Sequence, residues 1–335
     1  MRCLIDGRVL LDPFPGGVTR VAQGLIEAMV ALNNQDVLTI ATTGMKAKQN
    51  KKQPGWKHVS IPNTLVALGT WTNLTSFDRL IPDTFDTLFL PNLEMVGQPR
   101  VPYALLVHDL SFLIEPRWFP WKTRIWHSVV RAETLIRGAD ALLAISEQTK
   151  QDLTRLLNIS PDKIQTIPVG LSAASLQDSS NHPQKPYFLL LGGDDPRKNV
   201  GCILVAIREL QKTIPVELIV VSRASRPNDA ALQHLLCNAA GLLYPSWYEG
   251  FGLPLHEAAR YGTPVLAGTA GALPETAPKG TMIIPPFKPH LWVQAMRLLL
   301  TQPMRTSSSL AYDWSEAAHI TLACLRKIAR TNSVD

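Results

Sequence analysis

Residues 244–268 read YPSWYEGFGLPLHEAARYGTPVLAG. The apolar run Leu242, Leu243, Tyr244 has the character of a buried strand, which Pro245 and Ser246 break. Gly250 and Gly252 follow, and the pattern predicts a helix over 253–261 that tolerates Pro254 in its first turn. Gly262 ends that helix, and 264–267 start another strand. Strand, glycine turn and helix start in series gather free backbone N–H groups, with the helix's partial positive charge behind them. Such a place suits an anion or the hydroxyls of a sugar. Glu249 in the turn and Glu257 on the helix bracket it. A carboxylate there repels a phosphate, so these acids suit hydrogen bonds from hydroxyls. A Rossmann-type turn with merely solvated acids has the same outline.

The pattern occurs twice more. A strand at 3–5 is followed by Phe14-Pro15-Gly16-Gly17, then by a helix at 18–32 with Val18, Val21, Leu25, Met29 and Leu32 at helical spacing. A strand at 187–191 runs into GGDDPRKN, with Arg197 and Lys198 where a helix at 201–211 begins. Two cations at a helix N-terminus oppose its dipole unless an anion answers them. That conflict between local rule and residue choice points to function, with a solvated turn as the alternative. Further strands are expected at 37–42, 88–90, 103–107, 141–144, 216–221 and 281–284, and helices at 229–238 and 290–300. The run 103–107 delivers His108-Asp109 to its carboxyl end, where ligands sit in open α/β sheets. Ser146 caps a helix, with Thr149 in place of the acid of a full capping box. No GxGxxG fingerprint follows a strand, which disfavours an NAD enzyme.

At 335 residues, 46% hydrophobic and 18% charged, the chain has room for two α/β domains with real cores. A net charge of +6 favours an anionic substrate or surface without calling for nucleic acid. Cys3, Cys202, Cys237 and Cys324 lack metal-ligand spacing, and Asp194-Asp195, being adjacent, would point apart on a strand, so no metal site is expected. There is no run of about 18 apolar residues and no secretory signal, so a cytoplasmic protein is expected. The polar, basic stretch 46–57 reads as a solvated loop, and 172–185, rich in Ser, Asn and Pro, as a linker. PRWFPWKTRIWHSVVR at 116–131 is read first as an interhelical core segment with snorkelling arginines. Its other reading is a basic-aromatic surface for an anionic membrane or a lipid-linked acceptor.

Pro-Ser, then Glu249, Gly-Phe-Gly-Leu-Pro and Glu257 eight residues on, resembles the hallmark of retaining GT-B glycosyltransferases of family 4. The segment 138–171 and GALPET at 271–276 are similar to the same family. The resemblance implies two Rossmann-like α/β domains facing across a cleft. Residues 1–171 would be the acceptor side, 172–185 the linker, 186–312 the nucleotide-sugar domain and 313–335 a helix bracing both. It implies transfer of a mannose- or glucose-type sugar from a nucleotide diphospho-sugar, such as GDP-mannose or UDP-glucose, to a glycan or lipid-linked acceptor. The setting implied is surface polysaccharide or lipopolysaccharide assembly, at the inner face of the membrane, with no cofactor and no metal. His108 and Glu249 would orient the donor sugar, and Arg197 and Lys198 would neutralise its diphosphate. Gly16, Gly17, Asn199, Gly250, Phe251, Gly252 and Leu253 would line the nucleotide, and Glu257 would hold its ribose. One departure stands out: only 222–228 separate a strand from the next helix, where relatives carry a further helix and strand of the nucleobase pocket. A silent binding member of the family, or a nucleotide-sugar epimerase or hydrolase, therefore stays open.

Overall fold

The computed structural model describes residues 1–335 except 14, 34, 46–54, 172–184, 223, 226, 303, 309–312 and 332–335. The expected linker and most of the basic stretch at 46–57 thus lie outside the described residues. The chain forms two compact units, residues 1–172 with 313–335, and residues 173–312.

In the first unit the order is β1 (Arg2–Asp6), α1 (Gly17–Leu32), β2 (Val37–Thr43), β3 (Trp56–Val59), α2 (Asn63–Trp71), β4 (Thr87–Leu90), β5 (Tyr103–Val107), α3 (Ser111–Ile114), α4 (Trp121–Val130), α5 (Ala132–Gly138), β6 (Ala141–Ala144), α6 (Glu147–Leu157) and β7 (Ile164–Thr166). Among the described residues these strands form one parallel sheet in the order β3-β2-β1-β4-β5-β6-β7. Strands covered on both faces must be apolar throughout, which is why TLFL, YALLV and ALLA are continuous buried runs. Leu88, Leu105 and Leu142 pack with Leu135, Ile136 and Leu153 of α5 and α6. The helix Ser315–Thr331 lies against α1, burying Ala318, Leu322 and Leu325. Trp314 just before it sits so close to α1 that a Cβ on Gly24 would fall 2.3 Å from its indole Nε1. Arg326 pairs with Asp36 at 2.8 Å.

Two expectations for this unit are corrected. Trp56 and Lys57, read as the end of a loop, belong to β3, where Lys57 pairs across to Ala41. The segment 116–131 reaches the core only through Phe119 and the buried Val130: the rest of α4 is not core, with Trp121 and Ile125 61% and 52% exposed. The core slots beside it are filled from α5 and α6, so α4 keeps its aromatic and basic face outside.

The second unit runs β8 (Tyr187–Leu191), α7 (Val200–Gln211), β9 (Glu217–Val221), α8 (Asp229–Asn238), β10 (Gly241–Tyr244), α9 (Leu253–Arg260), β11 (Val265–Gly268), α10 (Leu273–Thr276), β12 (Met282–Ile284) and α11 (Pro289–Thr301). Counting the helix Ser315–Thr331 as α12 completes the chain. The sheet order is β12-β11-β10-β8-β9, again parallel. Alternate residues feed opposite layers. Phe188 and Leu190 pack with α7 and α11, whereas Tyr187 and Leu189 pack with α8 and α9. GALPET, read as a loop, contains the short helix α10.

Candidate functional site

In the second unit the strand order changes direction between β8 and β10, because β9 lies on one side of β8 and β10, β11 and β12 on the other. Ligands of such sheets bind outside the carboxyl ends at this point. Here the two ends deliver GGDDPRKN and PSWYEG, the stretches singled out by sequence.

Three ties hold these loops together. Trp247 N–H donates to the Arg197 carbonyl at 2.8 Å. Asn199 Nδ2 donates to the carbonyls of Pro245 and Pro286 at 3.3 and 2.6 Å. Lys198 Nζ donates to Glu249 Oε1 and to the Tyr244 hydroxyl, each at 2.5 Å. Asn199 adopts the left-handed backbone at φ 48°, which asparagine tolerates and which turns the chain from the Pro196–Lys198 turn into α7.

The two cations are answered, but from inside the protein. Arg197 pairs with Asp195 at 2.8 Å, and the Lys198 and Glu249 side chains are only 13% and 11% exposed. Burial pulls the Lys198 pKa down, yet the Glu249 carboxylate and Tyr244 together outweigh it and hold the ammonium above its ordinary value. Burial and then the Glu249 charge push the Tyr244 hydroxyl up. Burial would raise Asp195, but the hydrogen bonds and charge of Arg197 hold it below the usual carboxylate range. The expected clash with a helix dipole is thus relieved: both cations precede α7, in the Pro196–Lys198 turn, and each has a carboxylate.

The glycine turns differ in what they leave open. After β8, the amides of Gly192 and Gly193 both donate to the Val221 carbonyl, so these two glycine amides are already taken. After β10, the amides of Gly250, Phe251, Gly252 and Leu253 donate to no backbone carbonyl among the described residues. Gly252 takes φ 99° at the start of α9, and the Phe251 ring stacks on His256 at 5.5 Å. Glu257 is half-buried one turn along α9. Sequence reasoning missed what fixes Glu249: the Ala272 amide donates to its carbonyl at 2.8 Å. Gly271, at φ 63°, approaches so closely that a Cβ would lie 2.4 Å from that carbonyl. The GALPET segment therefore sets the height of the acid, a role its own motif could have suggested.

The remaining candidates lie in the first unit. His108 follows β5, and its Nε2–H donates to the Pro91 carbonyl at 2.8 Å. That bond fixes the neutral tautomer, leaving Nδ1 as the lone-pair nitrogen, and burial lowers the ring's pKa. Gly16 caps α1 with φ −87°, and a Cβ on Gly16 or Gly17 would meet nothing within 4 Å. Neither the backbone nor neighbouring atoms therefore require glycine at these two positions.

The model of the family described as Glycosyltransferase Family 4 matches residues 15–174, and that of Glycosyl transferases group 1 matches residues 185–302. An MMP alpha-(1->4)-mannosyltransferase of Mycolicibacterium hassiacum is 29% identical over 185 residues, 48% of this chain and 44% of the relative. An O-antigen chain mannosyltransferase B of Escherichia coli is 26% identical over 214 residues, 53% of this chain and 56% of the relative. The chain thus spans about half the length of the curated relatives it matches. Among solved structures, a sucrose-phosphate synthase from Thermosynechococcus elongatus superposes with TM-score 0.69 at 18% identity, over 99% of this chain and 97% of that one. WaaG, a glycosyltransferase involved in lipopolysaccharide biosynthesis, gives 0.60 at 16%, over 99% and 98%. At these identities the likeness is one of fold, and the expected GT-B class, two parallel-sheet Rossmann-like domains, is borne out.

Proposed function

We infer that this chain, whose first half matches the Glycosyltransferase Family 4 model and whose second half matches that of Glycosyl transferases group 1, works as a GT-B glycosyltransferase of family 4. It moves a mannose- or glucose-type sugar from a nucleotide diphospho-sugar to an acceptor hydroxyl, with retention at the anomeric carbon. The bond from that carbon to the diphosphate oxygen breaks, and a bond to the acceptor oxygen forms on the same face. The acceptor's proton passes to the departing phosphate oxygen, so no separate base is needed. One observation carries this reading: Lys198, Glu249 and the open amides of 250–253 meet at the carboxyl-edge switch point of the second sheet.

In this reading the diphosphate competes with Glu249 for Lys198 and with Asp195 for Arg197. The released Glu249 then accepts from a sugar hydroxyl, and Glu257 from the ribose. Losing one preorganised donor of this kind costs about 10²–10³ in rate. Asn199 acts through the loops it ties, and His108 orients the donor sugar through Nδ1. Gly16 and Gly17 leave room for the donor phosphates at the start of α1. Because Glu249 and Asp195 are engaged by cations, the reading assigns charge neutralisation to side chains and amides and needs no metal. Thermal shift with GDP-mannose and UDP-glucose tests it. A ligand at 100 times its Kd adds about 2.7 kcal/mol, and Lys198→Ala should abolish the shift. A bound sugar nucleotide with its pyrophosphate away from Arg197 and Lys198 would falsify the assignment.

The setting proposed is surface polysaccharide or lipopolysaccharide assembly at the inner face of the membrane. Support comes from α4, where exposed Trp121 and Ile125 neighbour Lys122 and Arg124, and from α2. The latter carries no charged residue, and its Leu65, Leu68 and Trp71 are exposed. Co-sedimentation with anionic but not zwitterionic vesicles is the expected outcome, and salt should release the protein. A silent binding member is the second reading, favoured by the self-neutralised cations and the short β9–α8 connection. Undetectable binding of both UDP and GDP by calorimetry would select it.

A further inference from the structure

Among the described residues the two sheets end in four edge strands, β3, β7, β9 and β12. A bare edge presents unpaired amides and carbonyls that template another strand, and edges are protected by being short or charged. Three of the four are: β3 carries Lys57 and His58, and β7 and β12 have three residues each. The exception is β9, ELIVV, five residues without proline or cation, whose one charge is Glu217 at its start. Glu217 N–H donates to the Pro186 carbonyl at 3.0 Å, and the Val221 carbonyl accepts from Gly192 at 2.8 Å. Glu217, Ile219 and Val221 therefore turn their peptide groups to β8, and Leu218 and Val220 turn theirs outward. Both ends of this outer row are answered within the chain. Gln211 Nε2 donates to the Val216 carbonyl at 2.9 Å, and Ser222 N–H donates to Ser225 Oγ at 3.0 Å. Between them remain the amides and carbonyls of Leu218 and Val220, with no described strand beside them.

This short row is its own complement. Two antiparallel copies centred on Ile219 set Leu218 against Val220 of the second copy and Val220 against its Leu218, exchanging both N–H···O=C bonds at each pair. The apolar side chains then match as well. Leu218 and Val220 meet their counterparts on the face of α7 and α11, and Ile219 meets Ile219 on the face of α8 and α9. Glu217 falls opposite Val221 of the second copy, so no like charges face each other. A peptide laid on this edge would gain four hydrogen bonds and little else, whereas a second copy also brings its own α7. That helix crosses from β8 to β9 and has α11 on its β10 flank, and its Leu204 and Val205 are exposed. We propose that β9 pairs antiparallel with β9 of a second copy about a two-fold axis at Ile219, joining two five-stranded sheets into one. The carboxyl ends of the two sheets then point in opposite directions, so neither donor site depends on the pairing.

Sedimentation velocity of the full chain over a dilution series tests this, and the wild type should sediment as a dimer that dissociates on dilution. Leu218→Pro removes an outward N–H and leaves the ladder to β8 whole, a position where edge strands tolerate proline. It should raise the Kd of the dimer at least about tenfold while thermal unfolding stays cooperative. Ile219→Cys gives a second readout that does not depend on how the proline variant folds. At a non-hydrogen-bonded antiparallel pair the Cα atoms lie about 4.5 Å apart, within reach of a disulfide. Diamide should therefore oxidise the two thiols of Ile219→Cys to one disulfide and give a covalent dimer well above the background of the four native cysteines. Val221→Cys, set against Glu217 of the second copy, should stay at that background. A wild type that is monomeric throughout the series overturns the proposal and leaves the edge to a strand of another protein. A folded Leu218→Pro that dimerises as the wild type does also overturns it, as does equal cross-linking of the two cysteine variants.

Discussion

Lys198 and Glu249 form the buried ion pair of the second unit's candidate site, and breaking that pair has a measurable cost. Removing one partner of a buried ion pair leaves an uncompensated charge, worth about 3–5 kcal/mol, whereas removing both is far milder. Urea unfolding should therefore show Lys198→Ala strongly destabilised and Lys198→Met with Glu249→Leu much less so. Equal stability of the two variants would mean the pair is not closed in solution. The Lys198 pKa is held above its ordinary value, so its stabilisation is present below about pH 10.5 and is lost as pH rises through the folded value.

At the scale of elements, two glycine turns make opposite demands. Gly271 sits at φ 63° with the Glu249 carbonyl where a Cβ would go, so Gly271→Ala should cost about 1–3 kcal/mol and displace Glu249. Gly16 has open space and an ordinary φ, so Gly16→Ala should change stability by less than about 0.5 kcal/mol. If Gly16 and Gly17 serve the donor, Gly16→Ala should nonetheless weaken sugar-nucleotide binding. Thermal melts with and without nucleotide separate the two effects, and unchanged binding in Gly16→Ala would remove α1 from the donor site.

Over the whole molecule, the helix Ser315–Thr331 belongs with the first unit although it follows the second in sequence. Trp314 anchors it between Gly24 and Gly170 and is 7% exposed. Trp314→Ala should cost about 3–5 kcal/mol, confined to the first unit. Because two compact units need not unfold together, calorimetry should show one transition lowered and the other unmoved. A uniform fall of both transitions would show that the units unfold as one.

Much of this was legible in the chain itself. Strands buried on both faces are continuous apolar runs, and Gly or Pro punctuates them, so β5, β6 and β8 were readable to the residue. α2 and β3 were not: β3 begins inside the basic stretch 46–57, which reads as a loop, and α2 turns leucines outward within 59–77, which holds no charge, blurring the period that marks a buried face. The motifs located Arg197, Lys198 and Glu249, since a cation or acid in a glycine turn is visible locally. Arg197 is answered locally, by Asp195 two residues before it. What answers Lys198 was decided by tertiary structure alone, since it meets Glu249 across 51 residues. Local sequence sets which groups a strand end carries; only the order of strands in the sheet sets which ends become neighbours.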